Sequence, residues 1–389
     1  MNDDTTPTSG DSSDAGDAGD PATRSGGAGS SAGATVAGGR RRKRSGFVRR
    51  HWVLVSIAVV LVLLVGSAAG YLYWFNSQLN NISRVHVATL ETDPQPGGSQ
   101  EKKRALNILL LGADAGTNEQ SVSDDLKDGK WTPFLHRSDT LMIAHIPADR
   151  KSVQLVSIPR DTWVPIEGYP SSGGYGKINA AFAFGGPDVA AKTVEHLTGI
   201  TIDHLAIIDW AGFKDLTTAL DGVRVYIPQT FYDDSQLITW EKGWHTFKGQ
   251  EALAYVRTRH GLDDGDFDRI ARQQNFLRAT MSKLLSRTHN IVSMTKVIKV
   301  VTRYLTIDSG WDNGELIDLA LSLRDVKETD VQFLTAPLGR YDTAPDGQSI
   351  VRLNPKRSRL LFTDVKSDNV ADYLDKFPKA ELRGTKSVS

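Results

Sequence analysis

The chain has 389 residues with 46 basic and 46 acidic side chains, so its bulk charge does not mark it as a polyanion binder. It contains no cysteine, which excludes disulfides, thiolate-bound zinc, iron–sulfur clusters and thiol catalysis. The length allows one large domain with accessories or two small ones.

Residues 1–39 are dominated by Gly, Ser, Ala, Thr and Asp. They offer too little apolar surface to offset the entropy of ordering, and the reading is a disordered tail. A basic cluster, "RRRKRSGFVRR" at 40–50, leads into "HWVLVSIAVVLVLLVGSAAGYLYWF". Residues 52–75 carry no charge, enough for a bilayer-spanning helix, and Trp52, Tyr71, Tyr73 and Trp74 stand at its ends. Because the positive cluster precedes the apolar run, the N-terminus is expected inside and everything after residue 76 outside. A cleaved signal peptide is the competing reading, since "GSAAG" offers small residues. The apolar run continues past them, which favours an uncleaved signal anchor. The expected organisation is therefore a cytoplasmic tail over 1–50, a transmembrane anchor over 51–75, an extracellular linker over 76–104, a folded domain over 105–378 and a frayed end over 379–389.

Within the folded domain, short apolar runs predict buried strands at 105–112, 139–146, 152–158, 202–209, 223–227 and 331–336. Helical patterns lie between several of them, among them "GPDVAAKTVEHLTG", "WAGFKDLTTALDG", "GQEALAYVRTR" and "FDRIARQQNFLRATMSKLL". The alternation predicts an α/β fold, a three-layer α-β-α sandwich around a mixed central sheet, preceded by one N-terminal transmembrane helix.

No Walker A loop, G-x-S-x-G elbow, H-E-x-x-H or G-x-G-x-x-G motif is present. The histidines 136, 145, 204, 245 and 260 show no ligand spacing and read as structural or exposed. Polar residues at strand ends are more informative: Asp114 after one strand, Arg137 and Asp139 opening another, Arg160 and Asp161 closing a third. Each alone reads as a turn carboxylate or surface arginine; the concurrence of three points to a site.

The stretch "YVRTRHGLDDGDFDRIARQQN" at 255–275 adds four arginines. With Asp266 or Asp268 as N-cap, Ile270, Leu277, Met281 and Leu284 form a core stripe, and Arg269 and Gln273 lie on its flank. Arg272 is expected on the far, solvated side, and Asp263 and Asp264 in a solvated loop. Guanidinium groups grip phosphate oxygens in pairs, so Arg137, Arg160, Arg257, Arg259 and Arg269 suit a pyrophosphate better than one carboxylate. Carboxylates among them suggest a magnesium ion between Asp and phosphate.

Seven segments in order, "NILLLGAD", "RSDTLMIAHI", "VQLVSIPRDTWVPI", "GKINAAFAFGG", "IDHLAIIDWAGF", "LDGVRVYIP" and "LAYVRTRHGLDDGDFDRIARQQNFL", resemble the LytR-CpsA-Psr family from about Asn107 to about Arg278. The resemblance implies a membrane-anchored phosphotransferase facing the cell wall. Such an enzyme moves a glycopolymer from a polyprenyl diphosphate carrier onto peptidoglycan. By motif position, Asp114 and Asp139 match the family's Mg2+ carboxylates. Arg137, Arg160, Arg257, Arg259, Asp266, Arg269 and Gln273 match its pyrophosphate-binding and catalytic set. Lys192 falls near a family lysine by spacing. The acidic insertion at 117–136, with Asp124, Asp125 and Asp128, departs from the pattern.

The implied reaction is attack of a muramyl hydroxyl on the sugar-linked phosphorus, with polyprenyl phosphate leaving and Asp161 or Asp266 as base. Residues 178–186, "INAAFAFGG", read equally as a prenyl groove and as core. Three alternatives stand beside this reading. A lipid diphosphate hydrolase would use water as acceptor; a wall-binding module would need no arginine–carboxylate convergence; a DNA-binding regulator would need its basic face inside the cell. The charge asymmetry around the apolar run opposes the last, and no nucleic acid is expected as partner.

Overall fold

The computed structural model describes residues 46–91, 104–114, 122–127, 131–258, 266–286 and 291–382. The chain divides into two units, Met1–Val65 and Gly66–Ser389. The first is described only from residue 46, where helix α1 (Gly46–Leu79) begins. Many side chains over 51–75 lie outside the described set, and among the described residues no helix is long and apolar enough to cross a membrane.

The second unit is built on a mixed seven-stranded sheet. Its strands are β1 (Ser83–Val85), β2 (Leu106–Ala113), β3 (Ser138–Ile146), β4 (Val153–Ile158), β5 (His204–Asp209), β6 (Leu305–Asp308) and β7 (Val331–Thr335), in the order β1-β6-β5-β2-β3-β4-β7. β2 runs parallel to β5 and antiparallel to β3, and β3 antiparallel to β4. The C-terminal ends of β2, β4 and β5 therefore meet the start of β3 at one edge of the sheet.

Around the sheet lie α2 (Ile178–Thr198), α3 (Trp210–Ala219), α4 (Gly249–Arg257), α5 (Asp266–Ser286), α6 (Ile291–Tyr304), α7 (Asn313–Ser322), α8 (Pro355–Lys366) and α9 (Val370–Lys376). Period-two alternation in β2 feeds both faces of the sheet. Leu109, Leu111 and Ala113 pack with Ile178, Phe182 and Val194 of α2, Leu361 of α8 and Tyr373 of α9. Ile108 and Leu110 belong to the other face, with Leu277 and Met281 of α5 and Leu316 of α7. A separate core joins α3 to α6 with the hairpin of Val223–Ile227 and Gly243–Phe247.

Three sequence expectations are corrected here. Residues 83–91, assigned to a linker, belong to the fold: β1 pairs with β6, and Val87 and Leu90 are buried. The strand 223–227 forms, but in the two-stranded hairpin instead of the central sheet. Residues 379–382, expected to fray, are ordered: a 3-10 turn spans Pro378–Ala380, Glu381 bridges to Leu334 of β7, and Leu382 N donates to Phe333 O at 2.9 Å.

Helix α2 carries a break that organises the next segment. Gly186 adopts φ 69°, ψ −158°, a region essentially reserved for glycine. Pro187 follows and has no N–H, so the Ala183 carbonyl has no partner one turn on. Two donors from the preceding loop take its place: Phe134 N at 2.6 Å and Trp131 Nε1 at 3.2 Å. A Cβ on Gly186 would meet the Trp131 ring at 2.9 Å. Gly186→Ala is expected to lower the free energy of unfolding by about 1–3 kcal/mol, the cost of one such strained backbone position. Urea denaturation measures it, and an unchanged midpoint would refute this account of the break.

Candidate active site

A break in the sheet ladder supplies the first functional side chain. Gly112 pairs with Thr140 but Ala113 pairs with Ser138, so Asp139 is the extra residue of a β-bulge. A bulge takes a side chain out of strict alternation and re-aims it. The close approach leaves no room on the partner strand: a Cβ on Gly112 would lie 3.1 Å from the Thr140 Cβ. Asp139 thereby enters a cavity of about 410 Å³ at the sheet edge, together with Asp114, Arg137, Arg160, Asp161, Lys177, Trp210 and Arg257.

Contacts among these residues fix their orientation. Arg137 N donates to Asp114 Oδ1 at 2.5 Å, and Asp114 N donates back to Arg137 O at 2.9 Å. Arg160 Nη1 donates to Asp139 Oδ1 at 2.5 Å, while its Nε lies 3.5 Å from Asp161 Oδ2. Lys177 Nζ holds the other Asp161 oxygen at 3.0 Å. Arg257, ending α4, lays its guanidinium 3.8 Å from the centre of the Trp210 ring, which starts α3. Such stacking fixes the plane of the guanidinium fork. Burial pushes the Asp114 carboxyl above its ordinary range; the Arg137 N–H opposes this, and the negative charge of Asp139 adds to it.

The described walls carry Arg137, Arg160, Lys177 and Arg257 against Asp114, Asp139, Asp161 and Asp346, four charges of each sign. A second cavity, about 300 Å³ and mostly apolar, is lined by Leu110, Met142, Ala206, Phe213, Leu216 and Leu277 among others. Asp139, Trp210 and Arg257 belong to the walls of both cavities.

Of the residues singled out in the sequence, the structure brings Asp114, Arg137, Asp139, Arg160, Asp161 and Arg257 together. Gln273 lines the apolar cavity beside them, its Nε2 donating to Val256 O at 3.4 Å. Arg259 lies outside the described residues, as do the side chains of Asp266 and Arg269. Lys192 is not in the wall of the polar cavity; it pairs with Glu167 on the flank of α2. Residues 178–186 are not in the walls of this apolar cavity: Ile178, Ala181 and Phe182 sit in the main core, while Asn179, Ala180 and Ala183 line the polar cavity.

Arg272 requires the clearest correction. Expected in solvent, it is 1% exposed, and its Nη1 donates to Thr258 O at 2.7 Å. Its guanidinium lies 5.4 Å from the Phe231 ring centre and 5.7 Å from that of Tyr255. Helix α5 is covered on two sides, by the sheet and by the smaller core, so its far face is not a solvated one.

Several site residues carried no role in the sequence reading. Lys177 and Trp210 sit inside quoted segments, each one residue from an element boundary. Asp346 and Gln348 come from the turn between strands Leu338–Thr343 and Ser349–Leu353. The signal for that hairpin is "APDGQS", whose Gly347 adopts φ 84°. His136, read as structural or exposed, is buried between Asp114 O at 3.1 Å and Asp125 Oδ2 at 2.5 Å. It ties the described part of the acidic insertion, helix Val122–Lys127, to the site.

The LytR_cpsA_psr family model matches residues 72–366, and the chain belongs to this family. Over 297 residues it is 32% identical to the probable cell wall biosynthesis protein LcpB of Corynebacterium glutamicum, covering 74% of this chain and 66% of that protein, just under two thirds of its length. Over 340 residues it is 29% identical to the polyisoprenyl-teichoic acid–peptidoglycan teichoic acid transferase TagT of Bacillus subtilis, covering 85% of this chain and 97% of that one. A solved structure of TagT bound to LIIa-WTA superposes with a TM-score of 0.54 at 26% identity, covering 74% of this chain and 99% of that chain.

Because Arg272 is buried on a backbone carbonyl, Arg272→Gln is expected to lower stability by about 1.5–3 kcal/mol, the range for a lost charge-assisted hydrogen bond. Denaturant titration checks this. A shift within the range of ordinary surface substitutions would place Arg272 in solvent after all.

Proposed function

We propose that the protein transfers a glycopolymer from a polyprenyl diphosphate carrier to peptidoglycan, forming a phosphodiester and releasing polyprenyl phosphate. One observation carries the reading: an arginine-rich polar cavity shares Asp139, Trp210 and Arg257 with an apolar one. A diphosphate bearing an isoprenoid tail has this same division, a dianion joined to hydrocarbon. The names of relatives such as TagT point to the same class of reaction.

In this reading Arg137, Arg160 and Arg257 hold the diphosphate, and the family resemblance assigns Arg259 and Arg269 to the same set. The isoprenoid lies among Phe213, Leu216 and Leu277, where its burial contributes the apolar part of donor binding. The acceptor hydroxyl attacks the phosphorus that bears the sugar, and the bond from that phosphorus to the bridging oxygen breaks. Electrons of that bond pass to the polyprenyl phosphate, and the arginines oppose the charge where it develops. The hydroxyl proton passes to a carboxylate, Asp161 or Asp266. Lys177 holds Asp161 in place at 3.0 Å.

The donor set of the cavity fits magnesium. Asp114 and Asp139 both line the cavity, Asp114 accepting from Arg137 N and Asp139 from Arg160. Among the described residues no group of three or more His, Asp or Glu is arranged to hold a metal. Magnesium keeps most of its ligands as water and phosphate and takes only one or two carboxylates. The equal charges of the described walls also leave a dianion unmatched unless further cations join it. When bound by Asp114 and Asp139, magnesium would neutralise phosphate charge during displacement. Helix α1 anchors the enzyme in the cell membrane, with the tail cytoplasmic and the catalytic domain facing the wall.

Arg160→Lys keeps the charge but loses the paired donors, so transfer should fall about 10²-fold or more with the fold intact. The assay uses a short polyprenyl diphosphate glycan with peptidoglycan as acceptor, with and without a chelator. Wild-type rates in Arg160→Lys would remove the diphosphate from this cavity. Full activity in chelator would remove the metal from Asp114 and Asp139.

A further inference from the structure

Outside the reaction cavity, the unit Gly66–Ser389 carries a groove of about 830 Å³, lined among others by Trp163, Arg340, Arg352, Asn354 and Arg359. It is twice the volume of the reaction cavity and falls in the size range of ligand-binding clefts. Its charge is biased: of the three arginines, Arg340 lies 3.4 Å and Arg352 2.6 Å from one carboxylate, Asp342, while Arg359 is exposed on the first turns of α8.

The groove is coupled to the reaction cavity by covalent and hydrogen-bonded neighbours. Val351 N donates to Asp161 O at 2.9 Å, and Thr162 forms a parallel bridge with Val351. The hairpin Leu338–Leu353 is thereby clipped to the loop carrying Arg160 and Asp161. Its turn places Asp346 and Gln348 in the reaction cavity, and its strands place Arg340 and Arg352 in the groove. Trp163, stacked with Tyr175 at 6.3 Å, belongs to the walls of both.

The reaction cavity thus has two neighbours. The apolar cavity adjoins it through Asp139, Trp210 and Arg257, and the groove adjoins it through Trp163. Displacement at phosphorus needs the entering and leaving oxygens roughly in line. With the leaving polyprenyl phosphate on the Arg257 side, the attacking hydroxyl must come from elsewhere, and the Trp163 side is the one with room for a polymer.

We propose that this groove seats the acceptor, a peptidoglycan strand whose stem-peptide carboxylates meet Arg340, Arg352 and Arg359 while a muramyl hydroxyl passes Trp163. The inference rests on the transfer reaction proposed above. Its test separates the two. The full chain in detergent is co-sedimented with purified peptidoglycan sacculi and, in parallel, assayed for transfer. For Arg340→Glu/Arg359→Glu, sacculus affinity is expected to fall about tenfold and the KM for acceptor to rise to match, as charge reversal at an electrostatic docking surface does. The KM for donor and kcat should stay at wild-type values. Arg359→Lys, which keeps the charge, should bind as wild type, excluding a folding defect. Sacculus binding and acceptor KM unchanged by the double reversal would overturn the groove while leaving the reaction in place. Wild-type binding that the reversal abolishes, without any transfer, would leave the groove and overturn the reaction. A wild-type chain that does not pellet with sacculi would also overturn the groove.

Discussion

The bulge at Asp139 is the constraint from which the site follows. A regular β2–β3 ladder would keep strict alternation, and neighbouring residues would face the packed cores on either side. One extra residue breaks that alternation at the sheet edge, and Arg160 at the end of the next strand meets the carboxylate at 2.5 Å. The pair spans adjacent strand ends, so neither side chain can move without the other. Both are largely but not fully buried, at 14% and 20% exposure. In that setting charges interact more strongly than in water and cost less than in a dry interior. A pair of this kind is suited to exchange partners with an incoming anion. In the proposed reaction the guanidinium turns part of its fork to phosphate, and the magnesium proposed above would take its place on Asp139.

A second layer of polar contacts holds the arginine-bearing segments against this edge. Gln274 Nε2 donates to Ser157 Oγ and Leu334 O, both at 2.8 Å, tying α5 to the ends of β4 and β7. Arg272 holds Thr258 O, the last described position before Arg259. Burial drives the neighbouring Tyr255 phenol up to about 12, with Arg272 opposing, so that ring stays a neutral packing surface. These contacts replace what an apolar helix face would otherwise supply. They also specify register, because a donor must find its own acceptor whereas a leucine accepts any hydrocarbon. The break in α2 serves the other rim in the same way, since the Ala183 carbonyl anchors the loop that leads to Arg137.

The central strands were legible because buried apolar runs of five to nine residues bounded by polar strand ends have few other solutions. Asp114, Arg137, Asp139, Arg160 and Arg257 were legible for a related reason: charge directly beside a buried strand or at a helix end needs a partner. Arg272 was not, because helical phase identifies the face toward one neighbour and α5 has two. Short strands escaped for want of pattern: β1 is three residues inside an apparent linker, and β6 follows α6 without a turn. Lys177, Trp210, Asp346 and Gln348 are brought to the cavity by topology alone. No local periodicity encodes a contact between residue 161 and residue 351.

The arrangement of the three cavities then has a physical logic. Hydrocarbon, diphosphate and polymer differ so much in hydration that no single pocket can solvate them all. Separate compartments let each be matched by its own chemistry, with a few residues common to adjoining walls. Arg257 and Trp210 stand between the apolar and the polar cavity, where a guanidinium stacked on indole can face both. Trp163 stands between the polar cavity and the groove, and in the proposed reading it is an apolar plate that admits a polymer end without offering a competing charge. In the proposed reaction the phosphorus would sit where these walls meet. A ligand that fills only one compartment gains only that compartment's contacts, which in the proposed reaction ties productive binding to the simultaneous presence of tail, diphosphate and acceptor.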